Sequence, residues 1–298
     1  MAVTAAQVKE LREKTGVGMM ECKKALQEND GDIEKSILWL RERGLSRAAK
    51  KADRVTAEGL VNVAVNDQQN AGVIIELNCE TDFVSKNDDF QKFADDIAKL
   101  ALEHQVNDVE TLKTLELNGE KVEKVLTELI AKIGENLNLR RVQSFKVDNG
   151  VVTGYIHMGG KIGSLVALEG AAGSAVEELG KDLAMHVAAA APRYLVSENV
   201  DPAEVEQEKE LARKKLQEEK KPDHLIEKIL TGQINKFYKE ICLVEQAFVK
   251  DPNVSVKQLV EQQGQGAKLK TFARYQLGEG IDKKKENFAD EVASQLKS

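Results

Sequence analysis

The sequence predicts an α+β fold on three observations: helical periodicity fills the first 45 residues, short strands take over from residue 55, and the strand pattern recurs farther along. The length of 298 residues suits two or three domains at about 100–200 residues each. With 43 Lys+Arg against 50 Asp+Glu, the net charge of −7 argues against a general nucleic-acid coat. Cys22, Cys79 and Cys242 stand far apart without a C-x-x-C pair, which argues against a disulfide framework or structural zinc and for reduced thiols in a cytosol. No stretch approaches the roughly 20 apolar residues that span a bilayer, and the first ten have no signal-peptide run. A cytoplasmic protein with no membrane contact is expected.

Thr4-Ala5-Ala6-Gln7 is a capping-box pattern opening a first helix with Val8 and Leu11 on its apolar side. Gly16 and Gly18 break the chain before a second helix carrying Met19, Met20, Ala25 and Leu26. Asp30-Gly31-Asp32 supplies a turn and cap for a third helix with Ile33, Ile37 and Leu40 on one face, expected to stop at Gly44. Arg47, Lys50, Lys51 and Arg54 follow in a segment without an apolar face, which suits a connector. Residues 1–54 hold 12 Lys+Arg against 9 Asp+Glu, a basic bias that fits either a solvated helical connector or docking on an acidic protein surface or RNA.

Leu60 to Val65 alternates, Asp67 to Asn70 turns, and Gly72 to Asn78 is nearly continuous apolar text, so a hairpin is expected there. Phe90, Phe93, Ile97 and Leu100 mark the following helix. Gly59, Gly72, Ile75 and Leu77 recur 91 residues later as Gly150, Gly163, Val166 and Leu168, so the hairpin is used twice. Asp96-Ile97-Ala98 matches Asp182-Leu183-Ala184 at 86, leaving the first copy 5 residues longer between strand and helix. Glu123 to Thr127 matches Glu227 to Thr231 at 104, with Leu137 and Leu139 falling on Ile241 and Leu243, so the second copy carries an insertion. That insertion, near 197–222, sets Val205, Leu211 and Leu216 in polar helical text, either a protruding helical pair or a lone exposed helix. Leu269 to Leu277 reads as a closing strand. Phe288, Val292 and Leu296 give a last amphipathic helix, a cap on the core or a stripe offered to a partner.

A search for chemistry leaves one segment. Gly16-Val17-Gly18, Gly264-Gln265-Gly266 and Gly159-Gly160-Lys161 each lack the rest of a phosphate-binding loop, and His104, His157, His186 and His224 form no local metal motif. No catalytic residue, metal or cofactor is expected. Cys79 stands beside Glu80 and Asp82, surroundings that disfavour a thiolate. What remains is Asn78-Cys79-Glu80-Thr81-Asp82-Phe83-Val84-Ser85-Lys86, at the point where the first repeat is longer. Ser85 reads as the N-cap of the next helix, and Phe83 is then either ordinary core or an exposed wedge flanked by acids.

Leu11-Arg12-Glu13-Lys14-Thr15-Gly16-Val17-Gly18-Met19-Met20-Glu21-Cys22-Lys23-Lys24-Ala25-Leu26 and Glu76 to Lys86 resemble the two signatures of the bacterial elongation factor Ts family, guanine-nucleotide exchange factors for elongation factor Tu. Lys132-Ile133-Gly134-Glu135-Asn136, Arg140-Arg141 and Ala184 to Ala189 agree, and the likeness covers essentially the whole chain. It implies a ubiquitin-associated-like three-helix module and linker at 1–54 and a duplicated core with subdomains at 55–147 and 148–280. It also implies a coiled-coil hairpin inserted near 197–222 and a helical module at 281–298. It further implies that Thr81, Asp82, Phe83 and Val84 displace Mg²⁺ from the GTPase, and that Ile133, Gly134 and His157 touch it. Met158-Gly159-Gly160-Lys161 departs from the commoner sequence after that histidine. The implied partner is elongation factor Tu, GDP-bound and nucleotide-free, with a homodimer or 2:2 complex open and no nucleic acid contacted directly. Such a factor is not an enzyme. Two other readings stand beside it: a binding adaptor built on the three-helix module, and an enzyme assembled in space from Cys79, His157 and His186.

Overall fold

The computed structural model describes residues 3–219 and 221–282. It is an α+β structure. Helix α1 (Ala5–Thr15) opens with the expected capping box, Thr4 Oγ1 accepting from the Gln7 N–H at 3.3 Å while Gln7 Oε1 takes the Thr4 N–H at 3.0 Å. Helices α2 (Met19–Glu28) and α3 (Ile33–Lys51) follow, Asp32 capping α3, and Val8, Leu11, Cys22, Ala25, Leu26 and Leu40 form their shared core.

Gly44 does not stop α3, which runs through it to Lys51. The reason is tertiary: α3 crosses α6 (Val122–Ile133) there, and a Cβ at position 44 would lie 2.6 Å from the Cβ of Ala131. An exposed Gly→Ala change in a helix stabilises by about 1 kcal/mol. Here the sign reverses. Gly44→Ala is expected to lower stability by about 1 kcal/mol, because overpacking costs about 1–3 kcal/mol. Thermal unfolding reads the difference, and a raised Tm would mean that α3 and α6 separate freely.

The rest of the chain builds two antiparallel sheets of three strands, ordered β1-β2-β5 and β10-β7-β6. Strands β1 (Glu58–Val65) and β2 (Ala71–Cys79) form one hairpin, β6 (Gly150–His157) and β7 (Ile162–Glu169) the other. Gly59 faces Asn78 and Gly150 faces Glu169, so the two hairpins share one register at the 91-residue offset. The third strands are β5 (Leu137–Lys146) and β10 (Lys268–Gln276). This corrects one correspondence: Leu139 pairs with Leu77 on β5, whereas Ile241 ends helix α9 (Asp223–Ile241) and Leu243 enters a 3₁₀ turn. The strand beside β7 comes from farther down the chain, where a second alternating apolar segment was free to pair.

The sheets pack face to face through Val61, Ile74, Val152, Leu165, Ala167 and Ala273. Outside the first lie α4 (Asp88–His104), α5 (Val109–Thr114) and α6, with a two-residue ladder of β3 (Glu116–Leu117) and β4 (Glu120–Lys121). Outside the second lies α7 (Ser174–Ala190), with β8 (Ala247–Phe248), β9 (Asp251–Ser255) and α10 (Val256–Gln263) beyond. Central strand β2 is therefore buried on both faces, Val73, Ile75, Leu77 and Cys79 toward the helices and Ile74 toward the second sheet. That is why its text is continuous rather than alternating.

Helix α8 (Pro202–Glu218) pairs with α9 in a hairpin whose small core is Ala212, Leu216, Ile226 and Leu230. Its first arm occupies the insertion expected near 197–222. The expected last helix, with Phe288, Val292 and Leu296, lies outside the described residues.

Two polar side chains, Glu76 and Asn78, interrupt the buried text of β2. Glu76 is fully buried and accepts from Arg140 Nη1 at 3.1 Å, Arg141 Nε at 2.5 Å, Asn78 Nδ2 at 3.1 Å and the Gly278 N–H at 2.8 Å. Arg141 also stacks on Tyr275 and donates to the Gln276 carbonyl. The segment after β10 is thereby fastened to the first sheet.

Candidate functional site

At Cys79 strand β2 ends and the chain must reach α4. Ser85 does not cap that helix: Asn87 does, its Oδ1 accepting from the Asp89 and Phe90 N–H groups. Ser85 lies instead in a single 3₁₀ turn, Val84–Lys86, and its hydroxyl donates to the Asp82 carbonyl at 2.7 Å. The extra turn lets Val84 drop into the core beside Phe90 while the preceding residue is left outside. Phe83 is 79% exposed. The choice left open by the sequence is thus decided by the turn, and the aromatic ring points to solvent. Asp82 is exposed beside it and pairs with Lys86 at 3.3 Å.

The base of the loop is held firmly. Thr81 donates its N–H to Glu135 Oε2 at 2.9 Å and its hydroxyl to Glu135 Oε1 at 2.7 Å. Glu80 Oε1 accepts the Asn136 N–H at 2.6 Å, and the Asn136 amide donates to the carbonyls of Ala52 and Arg54. Gly134 closes α6 in the left-handed conformation, φ 87°, and its carbonyl accepts from Lys51 Nζ. Ile133 is half-buried against the helical core just before it. The strand end, the α6–β5 loop and the end of α3 therefore meet in one polar knot, which brings Thr81, Asp82, Phe83 and Val84 together with Ile133 and Gly134.

His157 arrives from the second hairpin. Glu58 faces Cys79 across β1 and β2, and Lys161 in the β6–β7 turn pairs with Glu58 at 2.8 Å, so this turn lies at the same end of the two-sheet stack. His157 is exposed there, its Nδ1 3.1 Å from the Tyr155 hydroxyl and its ring stacked on Tyr155. Met158 beyond it is exposed as well. One end of the molecule thus offers two apolar tips, Phe83 and Met158, on a rigid frame.

The arrangement is poor for covalent chemistry. The Cys79 thiol is pushed up to about 12, by burial first and then by the Glu135 and Glu58 charges, and it donates to the Thr81 carbonyl at 3.0 Å. His186 is buried in the second layer, where burial pushes it down. Its Nδ1 accepts the Val249 N–H, which leaves Nε2 to donate to Gln246 Oε1. Cys79, His157 and His186 are each engaged with separate partners. Among the described residues, no cluster of His, Cys, Asp and Glu is arranged to hold a metal ion, and no helix is long and apolar enough to cross a membrane.

Comparison with known proteins bears on the same residues. The family described as Elongation factor TS matches residues 80–279. An elongation factor Ts from Magnetococcus marinus is 51% identical over 300 residues, covering 98% of both chains. One from Clostridium botulinum is 49% identical over 99% of both, and one from Clostridium perfringens 49% over 98%. The chain belongs to the elongation factor Ts family.

Family membership directs attention to the exposed loop, but its anchors escaped the sequence reading. Glu80, Glu135 and Asn136 hold the tip without belonging to it. Glu135 and Asn136 stood inside a stretch that resembles the family, yet nothing local reveals a bond between residues 54 positions apart.

Proposed function

We propose that this chain is an exchange factor of translation elongation that binds elongation factor Tu, GDP-bound and nucleotide-free, and promotes GDP release by displacing the Mg²⁺ that holds the nucleotide. Phe83 and Asp82, with Thr81 and Val84 as their base, form the wedge. Ile133, Gly134 and His157 brace the GTPase from the core. The observation carrying this reading is a large aromatic side chain held 79% exposed on an anchored loop in a protein of this family. An exposed ring of that size on a rigid support is suited to entering a partner.

Linkage sets the energetic demand. A factor that binds the nucleotide-free GTPase better than the loaded one weakens the nucleotide by the same ratio. Speeding release by about 10⁴ needs roughly 5.5 kcal/mol of differential stabilisation. Burying one Phe yields about 1.5–3 kcal/mol. The remainder must come from other contacts, and exposed Met19 and Met20 on α2 offer apolar area for docking. Residues 1–54 form the docking module in this reading, 55–147 and 148–280 the two core subdomains, and 281–298 a further contact. Exposed Leu211 and Leu225 on the α8–α9 hairpin support pairing with a second copy, as a homodimer or a 2:2 assembly. The setting is the cytoplasm, where translation runs.

Adding the chain to elongation factor Tu loaded with fluorescent GDP is expected to accelerate nucleotide loss. A complex that forms without any acceleration would favour the adaptor reading instead.

A further inference from the structure

Phe83 has almost no packing of its own, so the backbone on either side sets its direction. Val84 anchors one side by burial. On the other side the anchor is the Glu135 carboxylate, which takes both the N–H and the hydroxyl of Thr81, at 2.9 and 2.7 Å. One residue along, the roles reverse, and the Asn136 N–H donates to Glu80 at 2.6 Å. Two carboxylates thus cross-link neighbouring loops in opposite senses. The lower loop is itself fixed to the end of α3, through Asn136 to Ala52 and Arg54 and through Lys51 to Gly134.

We propose that Glu135 is a positioning residue for nucleotide exchange, acting through Thr81 to aim the Asp82–Phe83 tip; this rests on the exchange reading above. A tip that swings freely must be ordered at the moment of insertion, and that entropy is subtracted from the work done on the partner. A tip held beforehand by charge-assisted bonds loses nothing more. Glu135 touches neither nucleotide nor metal in this scheme. Its contribution is visible in rate rather than in affinity, since most of the docking area lies elsewhere.

The test uses the full chain with Glu135→Met, which keeps much of the length but leaves the Thr81 N–H and hydroxyl without the carboxylate that accepts both. The maximal rate of GDP release at saturating chain is expected to fall about tenfold, with the half-saturating concentration within about twofold of wild type. Hydrogen exchange of the Thr81 amide is expected to quicken by about tenfold while Ile75 in β2 stays protected. Thr81→Val is expected to reproduce much of the rate loss, and the double variant to add little to it. Additive losses, an unchanged maximal rate, or equal loosening of Thr81 and Ile75 would each overturn the assignment. A wild-type chain that leaves GDP release unaltered would instead overturn the exchange reading, before any variant is compared.

Discussion

Phe83→Ala is expected to slow the release of GDP from elongation factor Tu by about ten- to a hundredfold while leaving the fold intact. The magnitude follows from the loss of about 1.5–3 kcal/mol of burial that the ring gains only when it enters the partner. The fold should not notice, because the ring is 79% exposed and its departure leaves no cavity. Stopped-flow release of fluorescent GDP, measured across a range of chain concentrations, separates the maximal rate from the half-saturating concentration. The rate should bear most of the loss. If both parameters worsen equally, the ring is a docking contact and the wedge idea fails. Deleting residues 1–54 is a less clean comparison, since it also removes the Ala52 and Arg54 carbonyls to which Asn136 donates at the base of the loop. Met20→Ala tests docking without that side effect.

Glu76→Ala should have the opposite profile, damaging the fold rather than removing the wedge. Removing one partner of a buried charge cluster costs about 3–5 kcal/mol. In a chain of this size that lowers Tm by roughly 6–20 °C. The same carboxylate makes stability depend on pH. Burial alone would push Glu76 up, but the Gly278 N–H, the Arg141 charge and the Asn78 amide outweigh it and hold the carboxyl below its usual range. Its stabilisation is therefore complete above the unfolded value of about 4.3 and is lost as pH falls through the lower folded value. Thermal unfolding followed from neutral pH down to about pH 3 should show a steeper acid loss in wild type than in Glu76→Gln, which has no carboxyl to protonate. Parallel curves would show that other carboxylates govern the acid limb.

Local chemistry was legible wherever its cause lay within a few residues. The Thr4–Gln7 capping box, the Asp32 cap and the apolar stripes of the first three helices needed only short-range pattern. The repeated hairpin was legible because glycines and branched residues returned at one spacing, and its register follows that spacing. Failures came where a distant element intervened. Gly44 looked like a stop because the sequence does not display Ala131 beside it, and Leu243 was matched to Leu139 although Leu139 lies on β5 and Leu243 in a 3₁₀ turn; the closing strand expected at Leu269 to Leu277 is β10. In the loop, Phe83 was marked as unusual, but its direction depended on whether Ser85 or Asn87 began the helix. Glu135 could not have been chosen from sequence at all, because its role is set by Thr81 across the β2–β5 edge of the sheet.

The bond from Gly278 to Glu76 spans 202 residues, which has a consequence for the order in which the molecule is made. A ribosome adding about 5–20 residues per second needs roughly 10–40 s to travel from one to the other. During that interval the emerging first sheet holds an ionised group in its interior with part of its retinue missing, so the amino-terminal half waits in a provisional state. Only when the closing strand of the other half has been synthesised does the early half reach its resting form. A late stretch of polypeptide, at Gly278, is thus a clasp for an early one, at Glu76, and a chain terminated before it would leave that carboxylate without one of its donors.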